Sequence, residues 1–285
     1  MTTEPGPATR RRQLGRQLRE LRLAAGIRTM AAAATRSGLS RATISRIESA
    51  KQTILPRTVR LLCQTYGIGA PLIDHLAKLA AESEDRGWLL AYSDTMPNWF
   101  ERFVGEEAEA TEIWTYEAEF VPGLLQTADY CRAVSAVSSP DVVDEEVDRR
   151  VDFRLARQKL LERATPPQLR VVVNEAVLRR HVGETAVMRE QLRHLGEMAK
   201  RPNITVQVLP FSAGAHPAMT SSFTMLHFPA DGGEPTILVE VDSGALYPDR
   251  PADFERYTWM FGRLRDLALS PAESMALVSR VMEEL

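Results

Sequence analysis

The sequence predicts an α+β protein: an all-α, five-helix N-terminal domain followed by a larger domain of mixed helices and strands. Three observations lead there. The first 82 residues place apolar side chains at helical spacing between glycine stops and Ser or Thr starts; β-branched runs of strand type begin only after residue 110; and the charge changes sign between the two parts. Residues 1–70 hold 13 Lys and Arg against three acids, a charge of +10, whereas the remainder holds 22 against 35, a charge of −13. A basic module ahead of an acidic body suits a chain whose first part meets a polyanion and whose second does not.

Each element follows from local chemistry. Leu14, Leu18, Leu21 and Ala25 recur on one face of a first helix, Arg10 to Ala25, which Gly26 stops. Thr29 is placed to cap a second, alanine-rich helix from Met30 to Ser37. Gly38 supplies the left-handed residue of a tight turn, Leu39 anchors it, and Ser40 caps a third helix, Arg41 to Glu48. Pro56 opens a fourth helix carrying Val59, Leu62, Cys63 and Tyr66, which Gly67 closes, and a fifth runs from Pro71 to Glu82. The aromatic segment Glu84 to Gly105 reads as irregular.

The expected division is a tail at 1–9, the helical domain at 10–82, a connecting segment at 83–109 and the larger domain at 110–285. In that larger domain a strand at Ile113 to Phe120 leads through a turn at Val121 to Gly123 into a helix from Leu124 to Val134. A long helix spans Asp144 to Arg163, acids first and bases last, as the helix dipole favours. Strands follow at Leu169 to Val173, Ile204 to Leu209, Phe223 to Phe228 and Thr236 to Val241, with a helix at Ala186 to Lys200 and two terminal helices, Ala252 to Ala268 and Pro271 to Glu284. Parallel and antiparallel pairings both remain open.

Composition bounds the class. With 44% hydrophobic and 26% charged residues the chain is globular rather than disordered. Its apolar runs fall short of the roughly 18 residues a membrane helix needs. Met1 to Pro7 has no apolar core of a signal peptide, so a cytoplasmic protein without membrane contact is expected. Cys63 and Cys131, each alone in an apolar segment, are expected to be buried reduced thiols. No metal site, cofactor or catalytic residue is predicted: nucleophile elbow, phosphate loop, metal-spaced His/Cys set and paired carboxylates are all missing from the pattern.

The run Gly38-Leu39-Ser40-Arg41-Ala42-Thr43-Ile44-Ser45-Arg46-Ile47-Glu48 combines a turn glycine, a capping serine, two buried isoleucines and an exposed face with Arg41 and Arg46. Residues Arg12 to Ile68 around it resemble the XRE family of repressor-type helix-turn-helix domains. The resemblance implies that Arg41, Ala42 and Arg46 face bases in the major groove and that Ser40, Thr43 and Ser45 bond phosphates or bases. Thr29, Lys51, Arg57, Arg60 and the run Arg10, Arg11 and Arg12 are phosphate candidates. Two positions depart from the family pattern: Met30 stands where many members have a phosphate-binding glutamine, and Ala50 where many have glycine, at a cost on the order of 1 kcal/mol if the conformation is left-handed.

Residues from about 88 to 280 resemble the C-terminal domain of WhiJ-like actinobacterial regulators, through Tyr116 with Phe120 to Thr127, Val172 to Ala176, Val206 to Pro210 and Gly214 to His216. This implies a transcription factor, often encoded beside a small partner protein. The helix-turn-helix motif and the charge split lead to the expectation of a homodimer, nucleoid-associated when bound to double-stranded DNA at a palindromic operator. The rivals are an antitoxin-like protein-interaction module that autoregulates its operon, and an enzyme with an appended helix-turn-helix centred on Glu175 or His216.

Within Val121 to Thr127 the plain reading is a type II turn at Pro122 and Gly123 with Gln126 or Thr127 bonding backbone; the functional one is a groove lined by Tyr116, Glu119 and Gln126. Glu101, Glu106, Glu107, Glu109, Glu112, Glu117 and Glu119 read as a solvated acidic face, or as one that attracts a basic partner. The stripe Phe254, Tyr257, Phe261, Leu264 and Ala268 belongs to the core or to a dimer interface.

Overall fold

The computed structural model describes residues 7–50, 54–82, 98–138, 142–228, 235–242 and 244–285. The chain forms two compact units, one of residues 1–91 with 228–234, the other of 92–227 with 235–285.

The first unit consists of α1 (Pro7–Ala24), α2 (Met30–Ser37), α3 (Arg41–Glu48), α4 (Pro56–Thr65) and α5 (Ala70–Glu82). The predicted apolar faces meet in one core of Leu14, Leu18, Ile27, Ile44, Ile47, Val59, Leu62, Cys63 and Leu76. Gly26, Gly38 and Gly67 all have φ near +73°, where a side chain is disfavoured, so the three stops lie where the glycines predict them. Gly15 has a different role: a Cβ there would stand 2.5 Å from the Ile47 carbonyl oxygen, so α1 can approach the end of α3 only without a side chain.

The second unit is a six-stranded sheet in the order β3-β2-β1-β4-β5-β6. Its strands are β1 (Glu112–Glu117), β2 (Gln168–Asn174), β3 (Ile204–Leu209), β4 (Phe223–His227), β5 (Thr236–Val241) and β6 (Gly244–Leu246). β1, β2 and β3 are parallel, and β4, β5 and β6 continue antiparallel. The helices are α6 (Asn98–Glu107), α7 (Ala128–Val137), α8 (Asp144–Gln158), α9 (Glu175–Arg179), α10 (Thr185–Met198), α11 (Pro251–Leu267) and α12 (Pro271–Glu284). Three elements escape the sequence reading. α6 falls in the segment taken as irregular, and α9 and β6 are too short to show a period.

Alternation along β1 divides the sheet into two faces. Trp114 and Tyr116 turn to α11, where Trp114 stacks on Phe261 at 5.0 Å and the predicted stripe Phe254, Tyr257, Phe261, Leu264 and Ala268 joins the core with Met225 and Ile237. Ile113, Thr115 and Glu117 turn to the other face, beneath the Val121 to Thr127 loop, α6 and α8.

That loop departs from the predicted type II turn. Gly123 lacks the positive φ such a turn requires and instead opens a 3-10 turn, Gly123–Leu125, closed by Leu125 N–H to the Pro122 carbonyl at 2.8 Å. Glycine is needed for space, because the Arg154 guanidinium lies where a Cβ would project. The helix expected from Leu124 begins only at Ala128, capped by Thr127.

The expected solvated acidic face holds only in part: Glu119 is exposed, Glu109, Glu112 and Glu117 are half-buried, and the side chain of Glu101 lies outside the described residues. Glu106 and Glu107 are buried, Glu107 in a two-pronged pair with Arg157 at 2.8 and 3.0 Å, while Glu112 pairs with Arg170 and Glu119 with Arg180. The bases that neutralise them lie on later elements, beyond the reach of a local charge count. Cys63 and Cys131 are buried free thiols, and burial pushes Cys63 up to about 11.

Candidate nucleic-acid interface

The start of each short helix in the first unit is set by one hydroxyl. Thr29 Oγ1 accepts from Ala32 N–H at 3.1 Å to open α2, and Ser40 Oγ accepts from Thr43 N–H at 3.0 Å to open α3. Ser40 and Thr43 also share a hydroxyl hydrogen bond of 2.8 Å, so both are occupied within the cap. Ile44 and Ile47 anchor α3 in the core. At its end, Arg22 of α1 reaches the carboxylate of Glu48 with Nε at 2.6 Å and Nη2 at 2.7 Å, and Nη1 donates to the Ile27 carbonyl at 2.7 Å. Hydrogen bonding to Glu48 holds the guanidinium charge above its ordinary affinity for the proton, against the opposing effect of burial. This pair fixes α3 against α1, and nothing at its spacing of 26 residues announces it in the sequence.

Ala50 keeps the left-handed conformation at φ +56° despite its side chain. Met30, at the head of α2, packs against the core.

The predicted reading face is only partly exposed. Arg41 is exposed, and Ala42 and Ser45 are half-buried. Arg46 is 3% exposed, its guanidinium 4.3 Å from the ring centroid of Phe228, a residue of the same unit. A charge wheel of α3 alone puts Arg46 outside; the ring that covers it comes from a distant part of the chain. Thr29 is exposed and Arg57 half-buried, while exposed Arg60 faces Asp74 at 3.5 Å. Lys51 and the side chains of Arg10, Arg11 and Arg12 lie outside the described residues.

In the second unit the five ligand candidates separate. Tyr116 is buried with its hydroxyl 3.4 Å from His216 Nε2. Burial pushes the Tyr116 phenol up and the His216 imidazole down. Glu175 accepts from Phe211 N–H at 2.9 Å and from Arg179 at 2.7 Å, and Arg179 continues to Glu284 at 2.8 Å. Burial alone would raise the Glu175 carboxyl; these donors outweigh it and hold it below the usual range. Glu119 is committed to Arg180. Gln126 sits on the other face of the sheet, lining a cavity with Pro122, Gly123 and Leu124.

Comparison with known families divides the chain in the same way. A family described as a helix-turn-helix domain matches residues 13–76. A second, described as a domain of unknown function, DUF5753, matches residues 100–280, more than half of the chain. The chain belongs to the DUF5753 family. No curated protein and no solved structure matches it. The helix-turn-helix ahead of the DUF5753 domain marks a DNA-binding regulator, with DNA as the indicated partner. Among the described residues no helix is long and apolar enough to cross a membrane, and no group of His, Cys, Asp or Glu is arranged to hold a metal.

Proposed function

We propose that this DUF5753 protein is a sequence-specific transcriptional regulator of the XRE type, a homodimer that places α3 in successive major grooves of a palindromic operator. The single observation that carries the reading is the capped helix-turn-helix, locked by Arg22 and Glu48, with exposed Arg41 at the first turn of α3 in a segment of charge +10. Arg41 reads a base edge, Ala42 and Ser45 follow the groove, and Thr29 and Arg28 approach phosphates. The DUF5753 domain supplies dimerisation and signal reception rather than catalysis: Glu175 is tied to Arg179, as a strap between α9 and α12 requires.

Exposed Trp259 on α11, at 61%, favours a protein-binding surface on the same domain. It serves a second copy in the leading reading, and a small protein encoded by a neighbouring gene in the antitoxin-like reading.

The test is a footprinting titration on DNA from the protein's own promoter, with wild type and Arg41→Ala. Arg41→Ala weakens specific binding by about 1–3 kcal/mol and leaves non-specific binding nearly unchanged. A wild type that binds only weakly and without sequence preference would overturn direct readout. Light scattering of the complex then gives the number of copies on the operator.

A further inference from the structure

The DUF5753 domain contains a cavity of about 130 Å³ that the DNA-binding reading does not use. Its floor is the β1 face of Ile113, Thr115 and Glu117, joined by Thr224 of β4 and Glu240 of β5. α6 contributes Glu107, α8 contributes Arg154 and Arg157, and the 3-10 turn contributes Gln126.

The charges within it do not balance. Glu107 and Arg157 neutralise one another through their two hydrogen bonds, and the Arg157 guanidinium also lies 4.9 Å from the Phe100 ring centroid. Glu117 and Glu240 then face the single guanidinium of Arg154, one carboxyl in excess, with Glu240 itself an exposed residue open to water. Arg154 Nε is a donor without a partner here, and two acceptors also lack partners among the described residues. Glu117 Oε2 is one; the other is Oε1 of Gln126, a residue 2% exposed whose Nε2 is held at 2.7 Å by the Val121 carbonyl. Leaving such groups unpaired is costly unless a ligand completes them. Phe120, 37% exposed, lines the same cavity and presents an aromatic ring toward solvent.

The loop is built to hold this arrangement. Gln158 Nε2 bonds the carbonyls of Gly123 and Gln126 at 3.0 and 2.7 Å, and Gln191 bonds both Thr127 N–H and the Leu125 carbonyl at 2.8 Å. Four backbone groups of one short loop are thereby fixed by two buried or half-buried amides, the preorganisation a binding site needs.

We infer that this cavity binds a small primary alkylammonium ion, its ammonium donating to Glu117 and Gln126 and its alkyl chain lying against Phe120.

Electrostatics accords with the geometry. Burial, with the neighbouring Glu240 carboxylate adding to it, pushes Glu117 up to about 8 against the opposing influences of Ser222 and Arg154. The groups around Glu117 are Glu240 on β5, Arg154 on α8 and the Tyr130 phenol on α7, with the Glu107 and Arg157 pair behind them and Tyr116 adjacent on β1. Glu117 therefore keeps its proton at pH 7. A monocation binds as the Glu117 proton leaves, keeping the charge balanced.

Isothermal titration calorimetry of the full chain with butylammonium chloride tests this, run at pH 7 in buffers of different ionisation enthalpy. Butylammonium binds with close to one proton released, and binding tightens as pH rises toward 8. Butan-1-ol and butyrate, its neutral and anionic counterparts, bind roughly ten-fold more weakly or not at all. Glu117→Gln loses the proton release and weakens butylammonium by a similar factor. If that variant fails to fold, the proton count on the wild type and Phe120→Ala, expected to weaken binding several-fold, decide the matter. Equal binding of butan-1-ol, binding without proton release, or no heat with millimolar butylammonium would each overturn the inference. The measurement contains no DNA, so its outcome is independent of the regulatory reading.

Discussion

Arg22 shows how much one buried side chain settles. Both members of its pair with Glu48 are almost fully removed from water, so truncating one leaves the other charge buried without compensation. Arg22→Ala is expected to destabilise the first unit by about 3–5 kcal/mol, measured by urea unfolding, and to abolish operator binding without removing any residue that meets DNA. Ala50 predicts the opposite sign. Ala50→Gly relieves a left-handed alanine and raises stability by about 1 kcal/mol, and an unchanged unfolding midpoint would show that the turn carries no strain. Glu117 carries a pH dependence whose sign follows from its raised value of about 8 against an ordinary 4.5. The folded chain holds the proton more firmly than the unfolded one, so this carboxyl costs nothing below pH 4.5 and destabilises progressively as pH rises through 8. Glu117→Gln is therefore expected to match wild type near pH 5 and to be more stable by about 1–3 kcal/mol at pH 9, read from denaturant unfolding at both pH values.

At the scale of elements, caps and packing divide the work. The starts of α2 and α3 were legible because Thr29 and Ser40 act on their own next turns, and Gly38 stops α2 by its own conformation. Gly15 was not legible as a packing residue, since its use depends on the Ile47 carbonyl of α3. Gly15→Ala preserves α1 propensity but forces α3 away, and is expected to lower the melting temperature and weaken DNA binding together; an unchanged melting temperature would show that the backbone yields at no cost. In the second unit, the β1 alternation foretold two faces without saying what covered each. The acids of residues 101–119 looked like a solvated run because their partners Arg157, Arg170 and Arg180 lie on elements that only the folded sheet brings back. α6 was missed for a related reason: its aromatic residues pack against α8, Phe100 meeting Phe153 at 5.9 Å, rather than following a clear apolar stripe of their own.

Over the whole molecule, the segregation of +10 and −13 makes the ends of the chain electrostatically unlike. Operator binding through the first 70 residues should therefore be strongly salt-dependent, falling roughly 10³-fold between about 50 and 200 mM salt, and a flat salt titration would contradict a phosphate-based interface. The sequence by itself determined the two-part α+β organisation, the five N-terminal helices, their caps and glycine stops, and the basic character of the first unit. These are consequences of helical and strand period, of a hydroxyl acting within three residues, and of charge composition, all local or additive quantities. Only the tertiary structure decided which arginine of α3 stays exposed, which acids are buried, and that Gln126 and Glu117 share a cavity while Tyr116 looks to the opposite face. Those outcomes depend on pairings across long stretches of chain, as between Glu107 and Arg157, 50 residues apart, where desolvation makes each charge depend on a partner its own neighbourhood does not contain.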